Sequence, residues 1–228
     1  GGEGGEPVSL AHFLETIFFP ERCPLCARLV GEDEGLCPEC RRERPACKSY
    51  LLPPNPNRPD LFCVRAPYLY CGSPRRGVMA LKFFRHRPAA RVLAEAIAGL
   101  PQVSGLSQAG FVTSVPLSRA RLRHRGYNQS ELIARQFALL KGLPYRETLR
   151  RIAGDSKQSL QAGKTNRERN VRAAFEALEP VSGTVVLIDD VYTTGQTMRA
   201  CARALRRAGA QRVIGLAACS ARFRKKKA

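Results

Sequence analysis

The chain has 228 residues, 44% of them hydrophobic and 25% charged, with 38 Lys and Arg against 19 Asp and Glu for a net charge of +19. That balance excludes a disordered polymer, and no apolar run approaches the ~18 residues of a membrane-spanning helix. Polyanions are the expected partners, whether nucleic acid, phosphorylated small molecules or an acidic protein, with a generally Arg-rich surface as the plainer alternative.

In chain order, residues 8–19 put Leu10, Phe13, Leu14 and Ile17 at helical spacing, and Pro20 ends that element. A Cys-rich segment follows, then a stretch with four prolines from Pro53 to Pro59 that reads as a linker. Residues 65–70 read as an edge strand. Residues 88–100 read as a helix with Val92, Leu93, Ala96, Ile97 and Leu100 on one face. A strand over 111–115 ends at Pro116. Asn128 then has the spacing of a helix N-cap reciprocated by Glu131, opening a helix with Ile133, Phe137 and Leu140 inward. Residues 184–188 are a β-branched run without polar alternation, the pattern of a strand buried on both faces. A helix over 197–207 turns Met198, Cys201, Ala202 and Leu205 inward, and 212–217 is a further buried strand. Alternating strands and helices imply an α/β fold, a parallel sheet flanked by helices. The expected division is 1–52 for an N-terminal helix and Cys-rich unit, 53–64 for the linker, 65–221 for the α/β domain and 222–228 for a basic tail.

Nine cysteines are an odd number, and no leader pattern is legible, so a secreted disulfide framework is disfavoured and a reducing cytoplasm is expected. Cys23-Pro24-Leu25-Cys26 and Cys37-Pro38-Glu39-Cys40 are two CxxC turns ten residues apart. Each aims two thiolates at one ion, and together Cys23, Cys26, Cys37 and Cys40 complete a closed tetrahedral Zn²⁺ shell without a catalytic position. Cys47, Cys63 and Cys71 are single, either packing residues or remnants of a second knuckle, and Cys201 and Cys219 belong to the core.

The buried strand ends in Asp189 and Asp190, followed by Val191-Tyr192-Thr193-Thr194-Gly195-Gln196-Thr197 and a helix. Ligands of open α/β sheets bind beyond the carboxyl ends of the strands. There, loop N–H groups and a helix N-terminus attract phosphate, with Thr193, Thr194 and Thr197 adding hydroxyl donors. The two acids at the strand tip suit vicinal ribose hydroxyls. The run is neither GxGxxG nor a Walker A loop, which disfavours dinucleotide and ordinary NTP sites. His12, His86 and His124 are isolated, so no hydrolytic triad is legible.

Residues 186–197 resemble the PRPP-binding motif of type I phosphoribosyltransferases. The remainder resembles the ComF family of natural transformation, a zinc ribbon followed by a phosphoribosyltransferase domain. The matching residues are the CPLC turn, Tyr70, Met79-Ala80-Leu81-Lys82-Phe83, Val115-Pro116-Leu117-Ser118 and Arg125-Gly126-Tyr127-Asn128-Gln129. Gln158, Leu160, Arg167, Asn170, Val171 and Phe175 complete them. The resemblance implies that Asp189 and Asp190 hold the ribose hydroxyls of Mg²⁺–PRPP. It implies that Thr193, Thr194, Gly195, Gln196 and Thr197 cradle the 5′-phosphate, with the loop at Val115 and Pro116 facing pyrophosphate. The resemblance further implies that Lys82 stands near the ligand and that residues 156–169 form a lid bringing Lys164 or Arg167 to the diphosphate. The chain departs from fuller members in lacking a complete second knuckle at Cys47 and Cys63, so one zinc is implied. Transfer from PRPP would pass through an oxocarbenium-like ribose, and no pocket for the acceptor is recognisable.

Arg119, Arg121, Arg123 and Arg125 occupy every second position; in extended form they share one face, suiting a nucleic-acid strip or a diphosphate clamp. Arg199, Arg203 and Arg206 fall opposite the core face of their helix, and the tail carries five further cations. Few aromatics and no Trp argue against a stacking platform. Three functions follow: a ComF-type factor binding PRPP and handling single-stranded DNA in competence, a phosphoribosyltransferase of nucleotide metabolism without a DNA role, and a silent PRPP-sensing adaptor. A competence helicase or recombination proteins are the partners such an adaptor would dock.

Overall fold

The computed structural model describes residues 20–31, 35–44, 46–47, 50–101, 103–152 and 174–221. The helix expected over 8–19, the lid segment with Lys164 and Arg167, and the basic tail lie outside the described residues. The main sheet holds β1 (Cys63–Arg65), β7 (Arg212–Ser220), β6 (Thr184–Tyr192) and β3 (Ala109–Ser114) in that order, with β2 (Tyr68–Leu69) also on β7, every pairing parallel. The helices are α1 (Pro38–Arg42), α2 (Gly72–Phe83), α3 (Pro88–Ala98), α4 (Arg119–Arg125), α5 (Gln129–Lys141) and α6 (Gln196–Arg207). A separate antiparallel pair joins β4 (Leu149–Arg151) to β5 (Phe175–Ala177). No helix among the described residues is long and apolar enough to cross a membrane.

Period-two alternation along β6 divides the core. Val186 and Ile188 pack with Leu93, Ile97, Ile133 and Phe137 of α3 and α5, while Val185 and Leu187 pack with Met198, Cys201 and Leu205 of α6. Both faces are therefore covered, as the absence of polar alternation required. Each of these four strand residues is fully buried, worth ~1.5–3 kcal/mol apiece against exposure.

Several elements differ from expectation. The edge strand is split at Pro67, which has no N–H for a ladder and whose carbonyl instead accepts from Cys47 N at 2.7 Å. β6 runs past Ile188 to Tyr192, because β7 continues beside it with Val191 opposite Cys219 and Tyr192 opposite Ser220. Residues 119–125 are helical rather than extended: Ser118 Oγ caps Arg121 N at 3.3 Å, and Gly126 closes the helix at φ 79. That coil pairs Arg119 with Arg123 and Arg121 with Arg125 instead of aligning all four. Leu140 is 47% exposed, since Ile133, Ala134, Phe137 and Ala138 carry the inward face of α5. Asn128 does cap that helix, accepting from Ser130 N at 3.1 Å, but Glu131 pairs with Arg135 at 2.8 Å instead of reaching back.

α2 was not expected. It packs through small residues, and a Cβ on Gly77 would stand 2.6 Å from the Leu25 side chain. The Cys-rich segment thus lies directly on this helix, with Ser73 Oγ donating to Cys40 O at 3.0 Å.

Candidate functional site

The four cysteine sulfurs of Cys23, Cys26, Cys37 and Cys40 all lie within 4.8 Å of one another. Cys26 Sγ and Cys37 Sγ are 3.7 Å apart. Tetrahedral Zn²⁺ with Zn–S bonds of ~2.3 Å needs sulfurs ~3.8 Å apart, a separation the Cys26–Cys37 pair already has and the others reach by closing in by no more than about 1 Å. Each turn also points N–H groups at sulfur, as Cys40 N does to Cys37 Sγ at 3.4 Å. Burial of Cys23 is more than offset by N–H groups of Cys37, Cys26 and Leu25, which draw its thiol down to about 7. Burial pushes Cys40 up, opposed by Arg76, whose Nη2 lies 3.8 Å from that sulfur. Among the described residues no other His, Cys, Asp or Glu group of three or more gathers in this way.

The second constellation sits at the carboxyl edge of the main sheet. β3 makes its last contact with β6 through Val115 N and Ile188 O at 2.9 Å, after which Pro116 leads the chain away. Asp189 and Asp190 thus emerge just beyond the end of β3, inside the strand rather than after it. The N-terminus of α5 covers them. Ser130 Oγ donates to Asp189 Oδ1 at 2.9 Å, and Gln129 Nε2 donates to Asp190 Oδ2 at 3.4 Å. From the end of α2, Lys82 Nζ reaches the same Asp190 Oδ2 at 2.9 Å. Asn128 Nδ2 donates to Val115 O at 2.9 Å, which ties this helix start to the end of β3. Burial, and then the Asp190 carboxylate beside it, push Asp189 up to about 7, opposed by the Ser130 hydroxyl and by Lys82.

Between β6 and α6 the chain turns at Gly195, which has φ 80 and forms the N-cap of α6 without a side-chain cap. A Cβ there would collide with the Tyr192 phenol, whose Cζ lies at 2.7 Å, so Gly is needed for both conformation and space. Among the described residues Gln196 N has just the long contact to Thr194 Oγ1 at 3.4 Å, so the start of α6 can take an acceptor from outside the chain. Thr193 and Thr194 are exposed, and Thr197 is half-buried.

Lys82, Val115, Asp189 and Asp190 therefore come together, with Pro116 at the turn leaving the site and the loop from Thr193 to Thr197 following the same strand. Gln129 and Ser130 are the site residues that motif spacing missed. Their signal was two polar residues in the first turn of a helix, and both are buried. Gln129 is 1% exposed, and its Oε1 has no partner among the described residues. Arg119, Arg121 and Arg123 are exposed on α4. Arg203 and Arg206 are held within the chain, Arg203 by Asp60 at 3.4 Å and Arg206 by Ala210 O at 2.7 Å, so α6 does not present an open basic strip.

A family model for the phosphoribosyl transferase domain matches residues 125–228. The DNA utilization protein YhgH of Salmonella typhimurium is 31% identical over 222 residues, 91% of this chain and 90% of that protein. Competence protein F of Haemophilus influenzae is 28% identical over 137 residues, 58% of this chain and 59% of its own. Among solved structures, the glutamine phosphoribosylpyrophosphate (PRPP) amidotransferase from B. subtilis, complexed with ADP and GMP, aligns with a TM-score of 0.45 at 24% identity. That alignment covers 62% of this chain and 30% of that one.

Proposed function

The chain belongs to the ComF family of competence-associated proteins with a phosphoribosyltransferase domain, and on that premise we propose that it binds Mg²⁺–PRPP and handles single-stranded DNA in the cytoplasm during natural transformation. The observation that carries the reading is the pair Asp189 and Asp190 at the sheet edge, with Lys82 on Asp190 at 2.9 Å and the open start of α6 one loop away.

In this reading the ribose 2′ and 3′ hydroxyls donate to Asp189 and Asp190, replacing Lys82 and Gln129 as donors to Asp190. Lys82, released from its partner, turns to the diphosphate. The N–H groups at the start of α6 and the hydroxyls of Thr193, Thr194 and Thr197 take the 5′-phosphate, and Gly195 lets the backbone come close. When the bond from C1 to the diphosphate oxygen breaks, its electron pair leaves with pyrophosphate and a nucleophile fills C1. The protein's task is to neutralise the departing charge with Lys82, the loop that follows Val115 and Pro116, and Lys164 or Arg167 from the segment between β4 and β5. Mg²⁺ arriving with PRPP supplies further charge neutralisation on the diphosphate. The four cysteines hold one structural Zn²⁺.

Calorimetric titration of Mg²⁺–PRPP into the wild type and into the Asp189→Asn/Asp190→Asn variant tests this. Saturable binding lost in the variant is the expected result; a wild type that does not bind overturns it. One observation favours a second reading, a PRPP-sensing adaptor that docks a helicase or recombination protein: both acids are already engaged by groups of the chain itself. Pyrophosphate release above background separates an enzyme from that adaptor.

A further inference from the structure

α2 ends in an unusual way for a helix that packs so closely at its start. Phe83 and Phe84 are 55% and 75% exposed, the two exposed aromatics among the large hydrophobic residues that the described surface leaves open. The turn then passes through Arg85 at φ 53, a conformation in which Gly is the unstrained choice. His86 N donates back to Ala80 O at 3.2 Å, so the left-handed turn is held in place. Two rings and a guanidinium are thereby presented to solvent from three consecutive residues.

The end of α4 meets this turn. The Arg125 guanidinium lies over the Phe83 ring at 5.3 Å from its centroid, Arg87 lies over the Tyr127 ring at 5.3 Å, and Tyr127 OH donates to Leu81 O. No Asp or Glu occurs from residue 72 to 94 or from 101 to 130. Among the described residues, no carboxylate forms an ion pair with Arg85, Arg121 or Arg125. The surface therefore combines exposed ring faces with cations that have no counter-charge of their own.

We propose that the last turn of α2 and helix α4 form a platform for single-stranded nucleic acid, with unpaired bases stacking on Phe83 and Phe84 and backbone phosphates lying on Arg85, Arg121 and Arg125. This deepens the DNA-handling part of the function proposed above and rests on it. Ring faces select single strands, because the flat faces of paired bases are hidden in the duplex stack, whereas cations alone would take either form. Sequence preference is weak, since every base has a π-face. The platform adjoins the acidic pair directly, as Lys82 precedes Phe83 and spans from this turn to Asp190.

The experiment is fluorescence anisotropy of a short labelled oligo(dT), titrated at several salt concentrations, with the matching duplex as control. Phe83→Ala/Phe84→Ala is expected to weaken oligo(dT) binding at least about fivefold per lost stack at constant salt. The slope of log K against log salt stays unchanged in that variant. Arg121→Ala lowers that slope by about 0.7, one phosphate contact on a single strand. Phe83→Tyr/Phe84→Tyr restores the affinity, which excludes a folding defect as the cause. Arg85→Gly serves as a second check: it relieves the backbone strain, so thermal stability is kept or raised while binding falls. Wild-type affinity in the double alanine variant, or equal losses for duplex and single strand, overturns the platform. A wild type that does not bind oligo(dT) at all overturns the DNA-handling reading as well, while the PRPP titration remains an independent test of the acidic site.

Discussion

Asp189→Asn should stabilise the fold at neutral and alkaline pH while removing PRPP binding. Among the described residues, both hydrogen bonds of the Asp189 carboxyl fall on one oxygen, Oδ1, which accepts from Ser130 Oγ and from Asp190 N at 2.9 Å each. An Asn amide keeps that oxygen and drops the charge that burial and Asp190 disfavour. The rise from an ordinary 3.8 to about 7 corresponds to ~4 kcal/mol if the carboxyl is sealed from water. Asp189 is half-buried, however, and Lys82 stands on the neighbouring acid, so ~1–2 kcal/mol is the expected net, or ~2–8 °C in Tm for a chain of this length. A raised carboxyl binds more protons folded than unfolded, so its contribution is full below about 4 and is lost as pH rises through about 7. The stability advantage of Asn over Asp therefore grows between those values and levels off above them. Thermal unfolding of both proteins, followed by circular dichroism at matched pH from 5.5 to 8.5, reads it directly. An advantage that is flat with pH, or an Asn variant less stable than wild type at pH 8, refutes the electrostatic argument.

Lys82→Met leaves the buried Asp190 carboxylate, among the described residues, with the 3.4 Å Gln129 side-chain contact alone; both partners of the lost pair are largely buried, so a loss of about 3 kcal/mol is expected in chemical denaturation. Gly195→Ala meets both the Tyr192 ring and a positive φ, and should cost at least about 2 kcal/mol and abolish PRPP binding in the same calorimetric assay. Cys37→Ser should lower zinc from one ion per chain to none by elemental analysis, with a large fall in Tm that added zinc does not restore.

What was legible in the chain divides along physical lines. β6 and α6 were readable because an unbroken β-branched run followed by 3.6-residue periodicity has few other solutions. α2 was hidden because Ser73, Gly77 and Ala80 do much of its packing, and hydrophobic periodicity does not register small residues. The alternating arginines of α4 suggested an extended strip, yet Ser118 and Gly126 at its two ends decide for a helix. At the site, the strand tip and its loop are contiguous and could be read directly. Gln129 and Ser130 act across some sixty residues of intervening chain, and only the β3–β6 pairing brings the start of α5 onto the acids. Lys82 was available through family resemblance alone, since nothing in its neighbours points to a carboxylate more than a hundred residues away.

The contacts between the cysteine segment and α2 give a physical reason for the two halves of the chain to be fused. Three separate anchors fasten them: Leu25 fills the space above Gly77, Ser73 donates to Cys40 O at 3.0 Å, and His86 Nε2 lies 3.1 Å from Cys23 O. Arg76 adds a fourth link, reaching both Glu43 at 3.1 Å and the Cys40 sulfur. These anchors bracket the helix from its first turn to the third residue after its end. Lys82 lies between them, on the turn that points at Asp190. A cation on a helix so clamped has a fixed distance to its acid, and it does not pay side-chain and backbone entropy again each time the pair forms. Four thiolates closed on one ion are a rigid support for such a clamp, because the shell cannot be partly made. Removing an ion held by that cluster would therefore act at the acidic pair through α2, although among the described residues none of the four cysteines is bonded to it.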